Sequence, residues 1–133
     1  MKKWQLSESK TAKTKIPTII KNELTTIAEE LIKHTLKPAH IKPQNKNVHL
    51  NQLVDIFIKW RGNSLFFYAK YNCYGENVIA PSFESKFARL IFIAEDKFNL
   101  SYMRHNDQWF ELHRNFTGQA CCNAIANEPY FVV

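Results

Sequence analysis

The chain has 133 residues, 45% of them apolar, and a formal net charge of +6. That length and composition exclude a disordered or fibrous chain and fit one domain with its own hydrophobic core. No apolar run approaches the ~18 residues of a membrane span, and three cysteines, Cys73, Cys121 and Cys122, make a poor disulfide framework.

Residues 1–15 carry five Lys and one Glu and almost nothing apolar after Leu6. They are expected to form a basic flexible tail ahead of a single α+β domain over residues 16–133. The N-terminus lacks the apolar core of a signal peptide. With the unpaired cysteines, that points to a cytoplasmic protein. A basic arm steers a chain toward any polyanion, and it equally aids solubility. From Arg61 onward seven basic residues balance seven acidic ones, so the charge excess lies in the first half.

The first element is an amphipathic helix. Ile16, Ile19, Ile20, Leu24, Ile27, Ala28, Leu31 and Ile32 recur at three and four, with polar residues opposite. Pro17 suits its first turn. Pro38 is expected to end it near Lys37, and residues 37–49 read as loop, with two Pro among polar residues.

The period then changes to two. Val54, Ile56, Ile58 and Trp60 alternate with Asp55, Phe57 and Lys59, and Leu65–Tyr71 forms a second run beyond Gly62-Asn63. A two-residue turn there sets a register. Trp60 faces Leu65, Ile58 faces Phe67, Ile56 faces Ala69 and Val54 faces Tyr71. On the other face Lys59 meets Phe66, Phe57 meets Tyr68 and Asp55 meets Lys70. A slip of one residue would spoil both faces.

Phe87–Ala94 is almost continuously apolar, as expected of a central strand covered on both faces. Glu95-Asp96-Lys97 turns the chain into a fourth strand. A turn at Asn106-Asp107 leads to a fifth, placing Arg104 opposite Trp109, where guanidinium can stack on indole. Thr117 is a good N-cap for a short last helix with Cys121, Ala124 and Ile125 buried. One of the two adjacent thiols is expected in the core and the other outward. The fold expected is an N-terminal amphipathic helix packed on a four- to five-stranded antiparallel meander, closed by a short C-terminal helix.

Chemistry-bearing motifs are few. No Cys/His spacing fits zinc, and the only glycines, Gly62, Gly75 and Gly118, cradle no phosphate. No cofactor or metal is expected. His105 and the residues around it are explained by a hairpin tip. Asp55, Glu84 and Lys86 can be cast as a Mg²⁺-dependent nuclease or hydrolase site, with two acids for the metal and a Lys beside them. Glu-x-Lys also occurs at Glu8 and Glu95, so the pattern arises here without that context.

Sheet-based nucleic-acid binding needs aromatics interleaved with basic residues. Lys59, Phe66, Phe57, Tyr68 and Lys70 share one face of the first hairpin, although the same aromatics could be covered by a helix. The expected function is a non-catalytic binding module for a protein or nucleic-acid partner, with no membrane role and self-association left open. Its candidate contacts are Lys59, Phe66, Tyr68, Arg104, His105 and Trp109. The alternatives are the Asp55–Glu84–Lys86 enzyme and a small-molecule pocket between sheet and helix.

Overall fold

The structure is a computed structural model that describes residues 15–41, 51–73 and 81–131. Of the expected basic tail only Lys15 falls within the described residues. The loop expected at 37–49 falls outside them from residue 42 onward.

The first helix, α1 (Thr18–Leu31), starts behind Pro17, whose extended backbone makes it the N-cap. It does not stop before Pro38. A π-helical turn at Ile32–Leu36 leads into a short α2 (Lys37–His40). Proline in a helix loses a hydrogen bond and pushes against the carbonyl four residues back. The wider turn relieves this: the Lys37 N–H reaches back to the Ile32 carbonyl, and the helix passes Pro38. Lys37–His40 is therefore helix where loop was expected.

Five strands follow: β1 (Gln52–Arg61), β2 (Ser64–Asn72), β3 (Ser82–Ala94), β4 (Lys97–Met103) and β5 (Trp109–Phe116). They form one antiparallel meander in the order β1-β2-β3-β4-β5. The last helix, α3 (Gly118–Asn127), begins at Thr117, whose hydroxyl accepts the Ala120 N–H at 3.1 Å.

In the β1–β2 hairpin, Trp60, Ile58 and Ile56 face Leu65, Phe67 and Ala69, and Lys59, Phe57 and Asp55 face Phe66, Tyr68 and Lys70. Gly62 has φ +59° while Asn63 has no positive φ, the pattern of a turn with glycine first. Tyr71, however, pairs with Leu53 and not with Val54. The register shifts between Leu53 and Asp55, leaving Val54 as an extra residue. Asn63 also joins the hairpin to its surroundings: its side-chain oxygen accepts the Ile16 N–H at 3.0 Å, and its carbonyl accepts the Phe92 N–H at 3.0 Å.

The β4–β5 hairpin differs from expectation by one residue. Met103 pairs with Trp109 and Tyr102 with Phe110. The Arg104 N–H reaches the Gln108 carbonyl at 2.9 Å, so the loop proper is His105–Asp107. A two-residue turn of the expected kind needs positive φ at both Asn106 and Asp107, and only Asp107 has it, at +61°. A three-residue loop ending in a left-handed residue is the alternative that the chain takes.

Both longer helices pack on one face of the sheet. Leu24, Ala28, Ile32 and Leu36 meet Ile56, Leu65, Phe67, Leu90, Phe98 and Leu100, with Ile58 and Trp60 packed against them. Each fully buried Leu or Phe contributes about 1.5–3 kcal/mol. The Trp60 indole N–H donates to Thr25 Oγ1 at 2.8 Å, tying β1 to α1. Cys121 and Cys122 are both buried, at 0% and 1% exposure. The outward thiol expected for a surface helix is absent because α3 lies against α1 as well as the sheet.

Candidate functional site

Two register shifts contribute to the continuous apolar run of β3. On β3, Ala88 pairs with Phe67 while Lys86 pairs with Tyr68, so Phe87 is extra; Ile93 is extra in the same way between Phe92 and Ala94. Phe87 turns toward the core, its ring edge-on to Phe67 at 5.9 Å. On either side of it, Lys86 and Arg89 both project from the other face.

That other face carries no described helix. It gathers the half-buried Phe57, Phe66 and Trp109 and the buried Tyr68, none of which belongs to the core cluster under the helices. The cover expected for these aromatics is therefore not supplied by α1, α2 or α3. Phe57 and Tyr68 stack at 5.1 Å and 6° between planes, and Phe66 meets Trp109 at 6.0 Å.

Cations lie over the rings. Lys59 Nζ lies 5.4 Å from the Phe57 ring and 5.1 Å from Tyr68. Lys86 Nζ lies 5.0 Å from Phe66 and 5.9 Å from Tyr68. The Arg89 guanidinium lies 4.7 Å from Trp109. The face thus holds two ring pairs, Phe57–Tyr68 and Phe66–Trp109, with Lys59 over the first, Lys86 over Tyr68 and Phe66, and Arg89 on Trp109. Each such contact is worth about 0.5–1 kcal/mol when exposed.

Phe66 on β2 and Trp109 on β5 reach toward each other over β3 and β4. Beneath them Ser101 is wholly buried although it points away from the helices, and Arg89 Nη2 approaches its hydroxyl at 3.5 Å. The Arg89 Nε is buried without a hydrogen-bond partner. Burial lowers the guanidinium's pKa, and the nearby Glu111 carboxylate partly offsets this. Arg89 is thus held in place by packing. Lys59 has 54% of its side chain exposed and makes only a loose 3.8 Å contact to Glu84.

Of the six expected contacts, Lys59, Phe66, Tyr68 and Trp109 converge here. Arg104 and His105 do not. The shifted register puts Arg104 over Phe110 at 5.6 Å, on the helix side. Arg89 takes the place on Trp109 expected for Arg104. Arg104 and His105 instead line a surface cleft of about 460 Å³ with Tyr102, Pro129 and Tyr130. Sequence reasoning missed Arg89, hidden in an apolar run, and assigned Lys86 to another role; the odd spacing of charges around Phe87 was the available signal.

Asp55, Glu84 and Lys86 are not drawn into one site. The Asp55 carboxylate turns to Lys37 at 3.1 Å and accepts the Ile56 N–H at 2.9 Å. Lys70 stands in register between Asp55 and Glu84, which puts their backbones two strand spacings, about 10 Å, apart. Lys86 covers aromatic rings. Among the described residues no three His, Cys, Asp or Glu side chains come together as a metal site would require. A cleft of about 490 Å³ lies between α1 and β1, lined by Glu29, Lys33, Lys37, Asp55 and Phe57 among others. No described helix is long and apolar enough to cross a membrane.

The architecture is that of an α+β domain with one sheet face covered by helices and the other free of helix among the described residues. Residues 16–132 match the family described as Domain of unknown function (DUF3024), and the chain belongs to that family. No curated protein and no solved structure gives a significant match.

Proposed function

We propose that the protein is a non-catalytic binding module that docks an anionic partner on the helix-free face of its sheet. The observation that carries this reading is the gathering of Phe57, Tyr68, Phe66 and Trp109 with Lys59, Lys86 and Arg89. Sheets bury one face in a core and solvate the other, and a solvated face is ordinarily polar. Three half-buried aromatics around Tyr68, screened by lysines and not by a described helix, are open to a partner. The cations define the partner's sign. The three free thiols fit a reducing, cytosolic setting.

The test is retention of the full chain on an immobilised polyanion at low salt. The Lys59→Gln/Lys86→Gln double variant is expected to elute at distinctly lower salt than the wild type. If the two elute together, the basic N-terminal residues account for the retention and the sheet face does not bind.

A further inference from the structure

Resting on that reading, we infer that the partner is single-stranded nucleic acid, with unpaired bases stacking on Phe57, Tyr68, Phe66 and Trp109 and phosphates taken by Lys59, Lys86 and Arg89.

The argument is one of matching chemistry. A single strand offers flat bases and anionic phosphates side by side, and this face offers flat rings with cations lying against them. A duplex hides its base faces in its own stack, so it offers only phosphates to such a surface. An acidic peptide satisfies the cations but brings no ring for each aromatic.

The acidic residues on the face do not cancel the fit. Glu111 is engaged by Arg114, and Glu84 reaches the half-exposed Lys59 only loosely, at 3.8 Å. A phosphate replaces Glu84 at Lys59 with a stronger anion. The two lysines lying on the rings occupy the places that bases take. On binding they move aside to the phosphates while the bases settle on the rings. Arg89, packed under Trp109, stays where it is and fixes the strand's position.

The test is fluorescence anisotropy with labelled homopolymers of about ten nucleotides, DNA and RNA, and a duplex of the same length, at about 50 mM and about 200 mM salt. The full chain is expected to bind one or both single strands at least tenfold more tightly than the duplex. Trp109→Ala and Phe66→Ala are each expected to weaken single-strand binding about tenfold and to leave duplex binding nearly unchanged. Trp109→Phe, which keeps a ring and the fold, retains most of the affinity. Equal affinity for duplex and single strand, unmoved by the aromatic variants, would overturn the inference and leave the anion-binding reading standing. Tighter binding of poly-glutamate than of either single strand would overturn it in favour of an acidic protein partner. No binding of any polyanion at the lower salt would remove both.

Discussion

Lys86 and Arg89 lie three residues apart on β3 and yet project from the same face of the sheet. In a regular strand an odd separation puts two side chains on opposite faces. The extra residue Phe87 resets the alternation, sending its own ring into the core and leaving the two cations on either side of Phe66. The bulge thus builds the ladder of rings and cations, and without it Arg89 would be driven among the buried side chains under α1 and α3.

Arg89 carries a cost in the free protein, because its Nε is buried without a partner. Replacing such a group by an apolar one of similar size is often neutral or stabilising. Arg89→Met is expected to leave stability unchanged or raise it by up to about 1 kcal/mol, since it also loses the contact to Trp109. Urea denaturation checks this. Arg89→Met is expected to bind nucleic acid less well despite equal or greater stability, the signature of a residue kept for binding. A loss of several kcal/mol would make Arg89 a structural residue instead.

Trp60 and Thr25 give a second test, on the other face. Trp60→Phe removes the indole donor and is expected to cost about 1 kcal/mol. Thr25→Val should cost a similar amount, and the double variant less than the sum, because both remove the same bond. Neither change touches the helix-free face, so nucleic-acid binding is expected to stay at the wild-type level.

The paired thiols predict a pH dependence. Burial pushes Cys121 up to about 12, helped by Cys122 and Asp96, and burial alone pushes Cys122 up to about 12. Below the ordinary value of 9.0 both thiols are protonated in folded and unfolded chains alike, and their full contribution is present. Above it the unfolded chain ionises while the folded one does not, so stability falls with rising pH until the folded value is reached. At pH 10 the expected loss is on the order of 1 kcal/mol per thiol. Tyr71, raised by burial, adds to the decline in the same direction. Urea midpoints measured between pH 8.5 and about 10.5 check the slope, and Cys122→Ala is expected to make it shallower. By the same burial, a thiol reagent at pH 8 is expected to label Cys73 well before either helix cysteine in the native protein.

Thr117→Ala removes the cap of α3 and is expected to cost about 1 kcal/mol. The measured midpoint should drop while the affinity for a single strand is unaffected, which separates the stability of the helix layer from the chemistry of the opposite face.

Local pattern made the elements and the first hairpin legible. The alternation of Val54–Trp60 and Leu65–Tyr71 around Gly62-Asn63 allows only one register that keeps both faces consistent, and the structure has it from Arg61 back to Asp55. Thr117 marked its helix by side-chain chemistry that acts within three residues. What was not legible depends on departures from period two. Val54, Phe87 and Ile93 are extra residues that no propensity marks, and each is settled by packing against a neighbouring strand. The helix running through Pro38 relies on a π turn whose cause is three-dimensional. The tip at His105–Asp107 was misjudged because Asn-Asp favours turns of two lengths, and one residue decided whether Arg104 or Arg89 meets Trp109. The candidate face was seen in part for the same reason. Its β1–β2 half follows from a regular hairpin, whereas Lys86 and Arg89 reach it through a bulge.

The central claim is that the ladder face, and not the helix layer, receives a single strand. The two described tryptophans mark the two faces: Trp109 lies in the ladder, and Trp60 has its indole N–H bonded to Thr25 on the helix side. The most direct measurement is an NMR titration of the ¹⁵N-labelled full chain with a short single-stranded oligonucleotide, following the indole resonances, with Trp109→Phe to assign them. The account predicts that the Trp109 indole shifts progressively while that of Trp60 stays in place. Movement of Trp60 with Trp109 unaffected, or saturable binding that moves neither, would contradict it.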